Sequence, residues 1–265
     1  MTAVAGQIRL KLGVVGKGGV GKTTVSGLLA RAYAQRGRHV VAIDTDSNPN
    51  LGLSLGLSLA ETEAVPVLPR SAVVGSGGSA RATDLIAEYG RQTPAGPTLL
   101  SAIKVAVAGA GCTCSGHATV RSLLADALEE VDLTLVDMEA GLEHLSRSGG
   151  TLAYADLLLV VCEPTRKSVL TAARTAALAA ELGIPEVLAV GNKARTGEDV
   201  AFFAEALSAE RVDLAGVLPY DAAVAAADRG TAVGLTPVAP EVQRALDEVM
   251  DALDAAHARA GALSR

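Results

Sequence analysis

The chain has 265 residues, 49% hydrophobic and 2% aromatic, and a formal net charge of −6. That length suits one large α/β domain, and with so few rings its core is built from Ala, Val, Leu and Ile, as in helices packed on a parallel sheet. The acid balance argues against nucleic acid as a partner, and no uncharged apolar stretch of ~20 residues is present to span a membrane. Three cysteines, two of them within one tripeptide, are not a disulfide framework and fit a reducing cytoplasm. Residues 1–9 lack the apolar core of a signal peptide.

Residues 10–15, apolar apart from Lys11 and Gly13, read as a first strand buried on both faces. Gly16 to Thr24 follows, as G-K-G-G-V-G-K-T-T. Gly16, Gly18, Gly19 and Gly21 let the backbone around Val20 turn its N–H groups inward without a Cβ in the way. Such a nest, closed by a helix N-terminus, is an anion site. Lys22 brings a cation to the β/γ-phosphates of a nucleotide, and the Thr23 hydroxyl can ligate Mg²⁺, with Thr24 beside it. Residues 22–36 carry Val25, Leu28, Leu29 and Ala32 on one helical face, and Gly37 supplies the stop. Residues 39–43 read as a second strand ending at Asp44, which completes a βαβ unit. The additional lysine, Lys17, makes the loop resemble the deviant Walker A of the nitrogenase iron protein, MinD/ParA and arsenite-pump ATPase superfamily. That resemblance implies that Lys17 reaches across a dimer interface to the partner's nucleotide, and hence an ATP-dependent homodimer.

The segment 44–56 follows a strand end, where open α/β sheets bind ligands. By resemblance it is a switch I loop: Asp46 positions or activates the attacking water, and Asp44 lies near Mg²⁺. The other reading of Asp46 is an Asx turn beside Asn48 and Pro49. Residues 57–97 are punctuated by Ser76–Ser79 and Pro94–Pro97, with a short helix over 81–90, and 57–108 reads as a variable insertion within a single P-loop ATPase domain, 1–265. Leu99–Val107 has strand character. A helix over 118–130 places Val120, Leu123, Leu124, Ala127 and Leu128 on its apolar side.

Residues 133–136 form a buried strand ending in Asp137, a Walker B pattern that places Asp137 in the Mg²⁺ shell. Gly141 stands where a switch II loop senses the γ-phosphate. Further strands are read at 157–161, 187–190 and 214–218, with helices at 168–182, 200–209 and 240–257. Asn192, at a strand's C-terminal end, can offer amide donor and acceptor to adenine, or be a plain loop residue; Pro219 joins it on the nucleotide side. The final helix, with Val242, Leu246, Val249, Met250 and Leu253 on its apolar face, is acidic outside, whereas a membrane-surface helix wants Lys and Arg there. The whole order is that of a doubly wound, mostly parallel sheet with helices on both faces.

Cys112-Thr113-Cys114 adds separate chemistry. On an extended backbone two thiols at this spacing point the same way, and soft thiolate pairs favour Zn²⁺, Ni²⁺, Cu(I) or iron–sulfur iron. Two ligands fall short of the four of a closed structural site. A two-fold dimer would supply the other pair, giving an S₄ site on its axis. The thiols also read as buried small hydrophobes, a strained redox pair, or ligands of a bridging iron–sulfur cluster. His117 is either a further ligand or surface, and Cys162 reads as core.

Taken together, G-C-T-C with V-R-S-L-L, L-V-D-M-E-A-G-L-E-H-L-S-R and L-L-V-V-C-E-P-T resemble the CooC-type maturation ATPases. These are nickel-inserting accessory proteins of carbon monoxide dehydrogenase, within the superfamily above. The resemblance runs from about Leu10 to Asp221 and is poor over 57–108. It implies a cytoplasmic homodimer that depends on nucleotide or metal, uses ATP/ADP and Mg²⁺, and shares one Zn²⁺ or Ni²⁺ between the Cys112 and Cys114 pairs. It also implies a client metalloenzyme, with no nucleic acid and no membrane. The rival readings are a partition or positioning ATPase like ParA/MinD and an iron–sulfur reductase like the nitrogenase iron protein.

Overall fold

The computed structural model describes residues 9–69, 81–103, 114–125, 131–139, 151–227 and 237–263. In chain order these give β1 (Leu10–Gly16), α1 (Lys22–Gln35), β2 (Val40–Asp44), α2 (Leu51–Ser54), α3 (Leu59–Glu63), α4 (Ala82–Tyr89), β3 (Arg91–Gln92) and β4 (Thr98–Ser101). They continue as α5 (Cys114–Ala125), β5 (Leu133–Asp137), β6 (Leu157–Cys162), α6 (Arg166–Glu181), β7 (Glu186–Ala194), α7 (Gly197–Ala209), β8 (Asp213–Pro219), α8 (Ala222–Ala227) and α9 (Pro240–Leu263).

Among the described residues the strands form one eight-stranded sheet in the order β3-β4-β2-β5-β1-β6-β7-β8. Every neighbouring pair is parallel except β3 with β4. The central strands are apolar at nearly every position because both faces are covered. Successive residues alternate between two clusters. Val14, Ala42, Leu135 and Leu159 meet Val25 and Leu29 of α1 and Leu246 and Leu253 of α9. Val15, Ile43, Val136 and Val160 meet Val120 and Leu123 of α5, Ala172 of α6 and Phe203 of α7. Each fully buried Leu among these contributes roughly 1.5–3 kcal/mol. Two apolar faces, each closed by helices, are what make the sheet doubly wound.

Most expected elements are present, with shifted ends. The second strand starts at Val40. Helix α7 starts at Gly197 rather than 200, because Thr196 and Asp199 form a capping box ahead of it. Helix α5 starts at Cys114, earlier than the expected 118, so the extended backbone assumed for the thiol pair does not continue through Cys114. The strand expected over 99–107 is β4, ending at Ser101; residues 104–113 lie outside the described residues. The stretch read as a variable insertion contributes packed structure where it is described. Leu57, Val65 and Leu68 are buried, Val67 bridges Ser101, and Ser58 and Glu61 cap α3 reciprocally.

α9 is held to α1 at its polar rim as well as through its apolar face. The buried Tyr33 hydroxyl donates to Asp254 Oδ1 at 2.9 Å and lies 3.3 Å from the Met250 carbonyl. Arg36 pairs with Asp247 and Asp251. The acidic outer face of α9 is thus partly spent on α1. No helix among the described residues is long and apolar enough to cross a membrane.

Candidate functional site

The sheet reverses direction of growth at β1: the chain moves from β1 outward past β5 to β2 and β4, then returns to build β6, β7 and β8 on the other side. Ligands of open α/β sheets sit beyond the strand ends at such a point, and Gly16–Thr24 is there. Gly16, Gly19 and Gly21 have φ of 147°, 84° and 93°, a region other residues rarely enter. A Cβ on Gly16 would also lie 2.6 Å from the Val161 carbonyl of the neighbouring strand. The loop delivers the chain into α1 through Gly21, with no side-chain cap and no acid in the first turn. The N–H groups at the start of α1 are therefore left for an anion.

Lys22, the first residue of α1, is buried, and its Nζ lies 3.3 Å from the Lys17 carbonyl. Burial lowers its pKa, opposed by the charges of Asp137, Asp46 and Glu139. Lys17 itself is exposed.

Asp44 and Asp137 stand opposite each other in register at the ends of β2 and β5. Burial pushes Asp137 up to about 6, although Thr23 and Ser26 hydroxyls hydrogen-bond it and Lys22 lies near; Ser26 Oγ is 2.9 Å from Asp137 Oδ1. Burial, then the Asp137 charge, pushes Asp44 up to about 7. Asp44 Oδ1 accepts from the Asp46 N–H at 3.0 Å and Oδ2 from the Leu51 N–H at 2.8 Å. It thereby pins both ends of the loop that carries Asp46. Adjacent buried carboxylates with hydroxyls beside them are hard oxygen donors short of positive charge, which is what Mg²⁺ takes. The donor set fits that ion.

Asp46 Oδ1 accepts from the Asn48 N–H at 2.9 Å, so the Asx turn foreseen as its other role is formed. Its charge is also felt at Lys22, where it opposes the lowering of the pKa, and at Asp137, where it adds to the rise. Thr45 Oγ1 donates to the Asp137 carbonyl at 2.8 Å and Ser47 Oγ lies 3.3 Å from Glu139 Oε1. The loop after β2 and the segment after β5 are thus tied together.

On the other side of Gly16–Thr24 a cavity of about 340 Å³ opens between the start of α1 and the ends of β7 and β8. Gly21, Thr24, Asn192 and Pro219 line it, so Asn192 and Pro219, both placed on the nucleotide side, share one hollow. Asn192 Nδ2 donates to the Val20 carbonyl at 2.8 Å, which commits an amide N–H to the phosphate loop. Arg195 lies over the Tyr220 ring, 3.8 Å from its centroid, and both line the cavity. Neither residue was foreseen; their contact crosses from the β7–α7 turn to the β8–α8 turn. Ser26 was missed too, although it lies one helical turn from Thr23.

The structure therefore gathers Lys22, Thr23, Asp44, Asp46 and Asp137 on one side of the phosphate loop and Asn192 and Pro219 on the other. Cys112 and Gly141 lie outside the described residues, and of Cys114 only the backbone, opening α5, is described. Among the described residues no group of His, Cys, Asp and Glu large enough to hold a metal by itself is found. Cys162 is buried, and burial pushes its thiol up to about 11, consistent with its reading as core.

Residues 14–233 match the CbiA family, described as the CobQ/CobB/MinD/ParA nucleotide binding domain. The carbon monoxide dehydrogenase accessory protein CooC of Rhodospirillum rubrum is 39% identical over 235 residues, covering 83% of this chain and 87% of that protein. An uncharacterized ATP-binding protein of Methanocaldococcus jannaschii is 34% identical over 227 residues, 80% of this chain and 86% of that protein. Among solved structures, the septum site-determining protein MinD of Pyrococcus horikoshii, complexed with Mg-ADP, superposes with a TM-score of 0.68 at 19% identity. That match covers 91% of this chain and 94% of the MinD chain, and shows the shared fold.

Proposed function

We propose, from the premise that this chain is an ATPase belonging to the CobQ/CobB/MinD/ParA nucleotide-binding family and, within it, to the CooC type, that it is a dimeric metallochaperone. In this reading it carries a soft metal ion as cargo between Cys112 and Cys114 of two subunits. ATP turnover then drives insertion of that ion, nickel, into a client such as carbon monoxide dehydrogenase. The observation that supports it most is the identity with CooC over 235 residues in a chain that also holds a Cys-x-Cys. Four thiolates on a two-fold axis suit Ni²⁺ or Zn²⁺.

In the proposed mechanism the N–H groups of Gly16–Thr24 bind the phosphates of ATP, and the base enters the cavity beside Asn192 and Pro219. Thr23 and Asp137 would hold Mg²⁺, with Asp44 flanking them, and the ion would supply positive charge against the phosphates. Asp46 orients a water molecule in line with the γ-phosphorus. Attack by that water forms the new P–O bond as the bond to the β-phosphate oxygen breaks, giving ADP and phosphate. Lys22, and Lys17 from the partner, meet the charge that develops on the transferring group. The loop of Asp46 is pinned by Asp44 and tied to the segment after β5, so loss of the γ-phosphate is felt by both switch segments together.

Activation of a metal-free client tests the reading. Nickel-loaded protein with ATP should restore carbon monoxide dehydrogenase activity to the nickel-depleted enzyme. A non-hydrolysable ATP analogue, or the Cys112→Ser/Cys114→Ser variant, should not. Equal activation by the double variant would rule the reading out, as would ATP-dependent binding to plasmid DNA or anionic vesicles without activation.

A further inference from the structure

Two side chains at the end of β7 hold two successive carbonyls of the phosphate loop. Asn192 takes Val20 O, as above. Lys193 Nζ donates to Gly19 O at 2.6 Å, a contact between residues 174 apart in sequence. Lys193 makes that reach from a left-handed backbone, φ 63°, which a residue with a Cβ adopts only when its surroundings fix it. The approach is close: a Cβ on Gly21 would lie 2.6 Å from Asn192 Nδ2 and 3.6 Å from Lys193 Cε.

The planar trans peptide turns this contact into a constraint on donors. The carbonyl of one residue and the N–H of the next point opposite ways in one plane. With Gly19 O held by Lys193, the Val20 N–H is aimed away from β7; with Val20 O held by Asn192, so is the Gly21 N–H. The alternation of glycines at positive φ is what builds an anion nest. A cation on the carbonyl also polarises the peptide and strengthens the N–H on its far side.

We propose that Lys193 is a positioning residue for the phosphate cradle: its ammonium fixes the Gly19–Val20 peptide so that the loop's N–H donors are set for the phosphates before nucleotide arrives. The proposal rests on the reading of Gly16–Thr24 as that cradle. Two residues further on, Arg195 lines the base cavity, so one short segment at the end of β7 serves both ends of the nucleotide.

The test uses the full-length protein and ADP as probe. Lys193→Asn keeps a residue that tolerates the left-handed backbone and removes the ammonium; Lys193→Gly does the same by another route, and Lys193→Arg restores a cation. The Asn variant should bind ADP about tenfold more weakly, the loss expected of a charge-assisted contact. Its KM for ATP should rise by a similar factor while kcat stays within about twofold, since the donors serve ground and transition state alike. The Arg variant should recover most of the affinity, and all three nucleotide-free proteins should unfold in one cooperative thermal transition, as the wild type does. ADP binding by both Asn and Gly variants within about twofold of wild type would overturn the proposal, as would a fall in kcat at unchanged KM. A wild-type protein that fails to bind ADP, or a Lys22→Ala variant that binds it normally, would instead remove the cradle reading and this inference with it.

Discussion

Asp44 and Asp137 face each other across β2 and β5, in register, each nearly inaccessible to solvent and each with its pKa pushed upward by burial. Two like charges in one buried place cost the empty protein stability and define where a cation belongs. Asp137→Asn should therefore raise the thermal midpoint of the nucleotide-free protein by a few degrees, because it removes one charge of the pair. The same variant should lose Mg²⁺-dependent turnover by about a hundredfold or more, as removal of a transition-state charge contact does. Differential scanning calorimetry and a phosphate-release assay read the two effects separately.

Gly19 and Gly21 offer a paired test of the loop. Both have positive φ, but a Cβ on Gly19 meets nothing within 4 Å whereas one on Gly21 strikes Asn192 Nδ2 at 2.6 Å. Gly19→Ala should suffer only backbone strain, about 1–2 kcal/mol, and keep measurable ADP binding. Gly21→Ala carries similar strain plus a clash and should bind ADP far more weakly. Isothermal titration calorimetry of the two variants would show the order; equal losses would mean that the β7 end does not press on the loop.

Much of this arrangement could be read from residues alone. Runs such as Val40–Ile43 and Leu157–Val161 are apolar throughout because both sheet faces are covered, and no helix-period pattern competes there. Gly16–Thr24 is legible because a phosphate nest needs glycine, lysine and threonine at fixed offsets. Asn192 and Pro219 were placed at strand ends, and strand ends on one edge of a parallel sheet share a crevice. Contacts between distant segments were illegible: Lys193 on Gly19, Arg195 on Tyr220, and Tyr33 on Asp254. Helix ends shifted where local chemistry was overlooked; the Thr196–Asp199 box was visible as T-x-x-D. The described parts of 57–108 were hard to read because their burial is against a sheet edge rather than along a long periodic face.

Tyr33 anchors α9 without touching the nucleotide side. Tyr33→Phe removes a buried hydroxyl that donates to Asp254 and should cost about 1 kcal/mol of stability. Urea unfolding should show the loss, with ATP turnover unchanged. A fall in turnover would mean that α9 placement is coupled to the switch loops.

Asp221 predicts a pH response. Its carboxylate accepts from the Ala239, Val224 and Ala223 N–H groups, and these contacts hold it below the usual carboxylate range, the Ala239 N–H most. A depressed folded-state value adds stability above the unfolded carboxylate value, and that stability is lost as pH falls through the folded one. Asp221→Ala should therefore be less stable than wild type at neutral pH, and the difference should shrink below about pH 4. Unfolding midpoints across pH 2–7 would show a converging pair of curves; parallel curves would contradict the assignment.

We propose that one metal ion is shared by the Cys112 and Cys114 pairs of two ATP-governed subunits. Metal content by mass spectrometry, read with solution mass from light scattering and ATP present, addresses it directly. The wild type should be a dimer with about half a Ni²⁺ or Zn²⁺ per chain, as four thiolates from two chains require, and Cys112→Ser/Cys114→Ser should hold no metal. A double variant that keeps its metal, or a wild-type monomer holding one ion per chain, would contradict it.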